Sequence, residues 1–327
     1  MRRSYAAGPL VAGAKFPCMG ANARRRSLVA AACCCAALGA CGESSDKSRD
    51  ESAARTPSPA PSVALTAEDR QAWAPAPRAR PVIPVLLYHG IDPEAFARQM
   101  ALLDHAGYDT ITLDEFIRFV SREHVSLPPR PLLLTFDGGR LDSWTGSDRI
   151  LRKLGLNAVL FVDVGRVADE DPDYLTWREL ETLERSGRWE VQLQSGTGHH
   201  QIRYGRAPDD VGPFYAYRGS EEILGGWRER VFSDVTWGEE QLAFHVRGYR
   251  PLAFAPPYGN YGQAGTNDER IPRLLLARLL QSFKVVFTQD RRGLATAGAA
   301  NPLGRIEITR HVTEAELHAL LTRARPD

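Results

Sequence analysis

An acidic residue stands where an apolar strand runs out. In "LLLTFDGG" (132–139) the run closes on Asp137, and Gly138 and Gly139 turn the chain away. A buried strand that ends in a carboxylate and a glycine turn sets a proton acceptor at the floor of a cleft. Histidines follow other apolar runs. His89 lies in "LLYHGI" (86–91), His199 and His200 close "EVQLQSGTGHH" (190–200), and His311 follows "RIEITR" (305–310). Carboxylate and imidazole are the groups of proton transfer and of divalent-cation sites. Thiolate is excluded from this set, because Cys18, Cys33, Cys34, Cys35 and Cys41 all precede residue 42.

The elements that must position these groups alternate. "VIPVLLY" (82–88), "PLLLTF" (131–136), "NAVLFVDV" (157–164), "WEVQLQS" (189–195), "PLAF" (251–254), "KVVFT" (284–288) and "RIEIT" (305–309) read as short buried strands, with a further strand at "TITL" (110–113). Helical spacing marks 93–108, 114–120, 142–155, 176–187, 270–283 and 313–324. Thr176 with Glu179 three residues on is a capping box. Asp142 reads most simply as a helix N-cap. Strand–helix alternation at this spacing predicts parallel β/α units, a doubly wound sheet or a barrel, with chemistry at the carboxyl ends of the strands. Residues 196–250, rich in Gly, Tyr, Trp and Arg, break the rhythm. They are read as an insertion with two partial helices, at 221–235 and 238–248.

Composition bounds the rest. The chain has 327 residues, 43% of them hydrophobic, and a net charge of +1, so it buries a real core and offers no electrostatic footprint for nucleic acid. "ARRRSLVAAACCCAALGAC" (23–41) has a basic start and an apolar run too short for a membrane span, and reads as an export signal. Its end, "LGAC", resembles the lipobox of bacterial lipoproteins, which predicts a lipid on Cys41 and a membrane-held, extracytoplasmic protein. Residues 42–80, rich in Ser, Ala, Pro and charge, are expected to tether residues 81–327, the folded domain.

Four signals at strand ends, "LLYHGI", "LTFDGGRLDSW" (134–144), "EVQLQSGTGHH" and "FAPPYGNYG" (254–262), together resemble the polysaccharide deacetylase (NodB-homology, carbohydrate esterase four) family. "YLTW" (174–177) and the spacing of Phe96, Met100, Leu103 and Tyr108 resemble it too. The resemblance implies a distorted (β/α) barrel that hydrolyses N- or O-acetyl groups on a glycan with a zinc-like divalent metal. It places Asp137 as general base, Tyr258 with its backbone N–H at the oxyanion, Pro257 beside it at the substrate, and His311 or His89 as candidate acid. One metal ligand falls on His199 or His200, depending on register. The sequence departs from the pattern at the other two: Gly138 stands where a metal-binding Asp is expected, and Gln194 or Gly196 where the first His is expected. Asp142 and Asp163 are the nearby carboxylates left to contribute in their place. The expectation is therefore a glycan deacetylase-like hydrolase or a glycan-binding member that has lost its metal ligands.

Overall fold

The structure, a computed structural model, describes residues 60–75, 82–289 and 293–323. The export signal, Cys41 and the first part of the expected tether lie outside the described residues. Among those described, the order is α1 (Ala67–Ala72), β1 (Ile83–Tyr88), α2 (Pro93–His105), β2 (Asp109–Thr110), α3 (Leu113–Val120), β3 (Pro131–Gly138), α4 (Leu141–Leu154), β4 (Ala158–Asp163), α5 (Val164–Ala168), α6 (Trp177–Arg185) and β5 (Trp189–Ser195). After these come β6 (Gln201–Arg203), β7 (Val211–Pro213), α7 (Leu224–His245), β8 (Ala253–Phe254), α8 (Ile271–Ser282), β9 (Val285–Val286), β10 (Leu294–Ala295), β11 (Ile306–Ile308) and α9 (Glu314–Arg323).

A nine-stranded sheet runs β10-β1-β3-β4-β5-β8-β9, with β11 also on β1 and β2 on β3. All its pairings are parallel except β1 with β10. Beyond β9 the ladder continues through a parallel bridge from Phe287 to Leu303, two residues before Arg305 and β11. The sheet thus curls most of the way back to β1, which is the distorted barrel expected from the strand–helix alternation.

The buried strands are apolar on both faces because both are covered. Residues of one parity, among them Val85, Leu133, Val159, Phe161, Ala255 and Phe287, fill the inside of the curl. Those of the other parity, among them Leu86, Tyr88, Phe136, Leu160 and Trp189, pack under the helices. Phe136 anchors this outer layer, stacked on Tyr88 at 5.5 Å and edge-on to Trp189 at 5.1 Å.

Three expectations change. "TITL" yields strand only at Thr110, because Thr112 caps α3 through Glu115 and draws Leu113 into the helix. The insertion holds a hairpin, β6–β7, and one 22-residue helix in place of two partial ones. Gly238, the first residue of the second expected helix, lies inside α7. A Cβ there would lie 2.7 Å from Leu193 Cδ1, so this glycine serves close approach of helix to strand. Finally, residues 60–75 are no tether. Trp73 is buried against His318, and Asp69 and Glu314 both bind Arg98, tying α1, α2 and α9 together.

Candidate active site at the barrel mouth

The end of β3 is built as a strand running into two glycines. Alternation from Leu133 and Thr135 carries Asp137 onto the inner face. Gly138 and Gly139 then take φ of 94° and 76°, conformations that glycine adopts freely and other residues resist. Asp137 is buried, and both its oxygens are engaged. Arg305, from the residue before β11, donates Nη1 to Oδ1 (2.6 Å) and Nη2 to Oδ2 (2.8 Å). Gln194 Nε2 donates to Oδ2 at 3.1 Å.

Arg305 is fully buried, its guanidinium 5.3 Å from the Phe161 ring centroid and 5.9 Å from that of Phe287. A buried guanidinium in an aromatic slot is held by the carboxylate it faces, and the carboxylate by it. Thr135 Oγ1 donates to Leu86 O and lies 3.4 Å from Arg305 Nη1, completing the arrangement from below.

Beside this pair, β4 ends one bulge beyond Val162, which sets Asp163 opposite Ser195. Ser195 Oγ donates to Asp163 Oδ1 at 3.1 Å, and His199 Nδ1 lies 3.4 Å from Oδ2. Asp163 is buried, so its charge rests on these partners and on Arg166 at 3.9 Å. The His199 ring meets Tyr258 edge-on at 5.2 Å. Tyr258 has φ of 61° in the turn 256–259, and its ring is 47% exposed. Burial, then the nearby charge of Asp163, raises its phenol above the usual tyrosine range, so it remains a neutral donor. Pro257 is buried beneath the turn: it shapes the rim and presents no open face to a ligand.

The two neighbouring histidines part company. His200 turns toward the insertion, with Nδ1 3.1 Å from Thr197 O and its ring on Phe214 at 5.0 Å. His199 is therefore the one that shares the rim with Asp163. His89 follows Tyr88, which pairs with Phe136, so it stands at the level of Asp137 on the neighbouring strand. Its side chain is 43% exposed, 3.6 Å from Glu307 Oε1, with Gln289 Nε2 at 2.9 Å from its Nε2. His311 is exposed on the turn after β11, and its contacts are with Arg310 and Thr309; the structure does not bring it to Asp137. Asp142 is no N-cap. Arg140 holds that position without a side-chain bond, and Asp142 pairs with Arg140 and its own neighbour Ser143.

The donors at hand do not fit a divalent ion. Gly138 contributes none; a Cβ there would meet only Arg140 Cγ at 3.8 Å, so room exists but the backbone φ opposes a side chain. Gln194 offers one neutral oxygen, Oε1, buried without a partner among the described residues. Asp137 is committed to Arg305, and His199 faces Asp163. No group of three His, Cys, Asp or Glu suited to a metal occurs among the described residues, and one imidazole beside one carboxylate, with only neutral amide support, does not hold zinc tightly.

Sequence reasoning missed Arg305, Glu307 and Gln289. "RIEIT" is legible as a strand, but nothing local marks its first residue as the partner of an acid 168 positions earlier.

Residues 124–269 match the family described as polysaccharide deacetylase. Among solved structures the chain is similar to a de-N-acetylase from Aggregatibacter actinomycetemcomitans, at 16% identity and TM-score 0.64 over 73% of this chain and 100% of that one. It is similar also to the deacetylase domain of BpsB from Bordetella bronchiseptica, at 19% and 0.59 over 72% and 98%. IcaB from Ammonifex degensii aligns at 23% and 0.58 over 73% and 96%. At such identities these structures establish the fold. No curated protein matches the chain. The fold is that of these deacetylase barrels. The match to the polysaccharide deacetylase superfamily is carried by residues 124–269.

Proposed function

We propose that the protein is an exported, lipid-anchored member of the superfamily that recognises an acetylated amino-sugar polymer of the cell envelope without carrying out metal-dependent deacetylation. One observation carries this reading: Asp137 is retained and held by Arg305, while Gly138 and Gln194 supply no ionisable donor beside His199. The exposed Tyr258 ring at the rim, next to His199, offers a face on which a sugar ring stacks. Export and the lipid on Cys41 are supported by the basic-then-apolar segment ending in "LGAC".

A second reading, a working N- or O-deacetylase, is favoured by one feature. The Asp137 carboxylate is held in a fixed position on the inner face, where a proton acceptor must stand.

Acetate release from acetylated glucosamine oligomers separates the two. We expect binding of the oligomer with no acetate above background, with or without added zinc. We expect acetate only from a Gly138→Asp, Gln194→His variant that still folds. Steady release by the native protein would contradict the binding reading and support the second. Absence of oligomer binding would contradict both.

A further inference from the structure

The loop that carries His199 is gripped from the insertion by one buried carboxylate. Asp234, on α7, accepts hydrogen bonds from the backbone N–H of Gly196 (3.0 Å), the backbone N–H of Thr197 (2.6 Å) and Thr197 Oγ1 (2.8 Å). The Tyr215 hydroxyl donates to the same carboxylate. Bonds to an ionised acceptor are about twice as strong as neutral ones, so four of them pin two residues of the loop to one helix and one aromatic ring.

Close packing repeats the message. Gly196 has no room for a Cβ against Asp234, and at Gly198 one would fall 2.6 Å from the Phe214 ring and 2.9 Å from that of Tyr215. At Gly165 a Cβ would lie 3.1 Å from Thr197 Cα. The loop is therefore walled in by α5, α7 and the segment 214–215. That segment is itself tied to α7: Trp227 Nε1 donates to Tyr215 O (3.0 Å), and Arg230 donates to Phe214 O (2.9 Å) and Tyr217 O (3.0 Å). Two residues past Thr197, His199 lies with Nδ1 toward Asp163 and its ring edge on Tyr258.

We propose that Asp234 is a positioning residue of the barrel-mouth site. Through Gly196 and Thr197 it fixes the backbone that presents His199 to Asp163, and the insertion is a built wall of the site. Among the described residues Asp234 hydrogen-bonds this loop and Tyr215, and it acts on His199 through the loop. The inference holds whether the site binds glycan or hydrolyses it, and its test uses no glycan.

The test is side-chain nitrogen NMR of His199 in the native protein and in Asp234→Asn, Thr197→Ala and Tyr215→Phe. In the native protein His199 is expected as a single tautomer with the proton on Nδ1. In Asp234→Asn, where an amide N–H₂ replaces one acceptor, the two ring nitrogens are expected to move toward a tautomer average, and the Gly196 and Thr197 amides to exchange at least about tenfold faster. The distant His105 and His318 signals are expected to stay in place, which reports an intact fold. Thr197→Ala and Tyr215→Phe are expected to shift His199 less, in the same direction. An unchanged His199 in folded Asp234→Asn overturns the proposal. Should that variant unfold, Tyr215→Phe decides: a shifted His199 supports the proposal, and an unchanged one overturns it.

Discussion

At the scale of single residues, the site is organised by a buried ion pair that joins two distant strands. Removing one partner of such a pair leaves an uncompensated charge in the core, which costs about 3–5 kcal/mol. Arg305→Met is expected to lower unfolding free energy by that amount in urea titrations. The double variant with Asp137→Leu should recover much of it, because no charge is then left alone; simple additivity would contradict the pairing. A half-buried acid lies at the other end of the barrel. Glu190 accepts the Leu113 N–H at 2.6 Å, and burial, aided by the charges of Glu184 and Asp114, raises its carboxyl to about 7 from 4.5. The folded state therefore holds a proton that the unfolded state has lost between those values. The contribution of this group to stability is full below about pH 4.5 and is lost as pH rises to about 7, by up to about 3 kcal/mol. Glu190→Gln is expected to flatten that slope, raising Tm at pH 8 and leaving it unchanged at pH 4.5. Asp137 was legible in the sequence because an acid at the end of an apolar run has few purely structural uses. Its partner was not, since an arginine before a strand resembles any surface charge until the barrel curls it inward.

At the scale of elements, glycines carry most of what local patterns could not show. Gly138 and Gly139 turn β3 through left-handed backbone, which a side chain at the position of the expected second acid would resist. Gly238 sits where α7 crosses β5. Alanine there gains about 1 kcal/mol of helix propensity but drives a methyl into Leu193 and the Gly196 backbone, an overpacking of about 1–3 kcal/mol. Gly238→Ala is expected to destabilise the protein in thermal unfolding, whereas a surface helix glycine would do the reverse. Strands β1, β3, β4, β5, β8, β9 and β11 and most helices were readable within a few residues, because buried runs and capping boxes such as Thr176–Glu179 act locally. The continuity of α7 was not readable, because a glycine chosen for tertiary contact looks the same in sequence as one that ends a helix.

At the scale of the molecule, the barrel was legible from the alternation of strands and helices, while its starting point was not. The polar, proline-rich stretch before β1 hides Ala60, Val63, Leu65 and Trp73, which pack on the outer core. A chain beginning at Val82 is expected to be less stable than one beginning at Ala60 by about 3 kcal/mol, mainly through loss of the buried Trp73; equal urea midpoints would show that the strap contributes nothing. The donor set at the mouth is likewise a property of the whole barrel, since β3, β5 and the residue before β11 meet there. Calorimetric titration of zinc into the purified protein addresses it most directly. Ordinary weak surface heats, no shift in Tm and substoichiometric metal after dialysis are the predicted result. One tightly held zinc per chain, released together with stability by a chelator, would contradict the account.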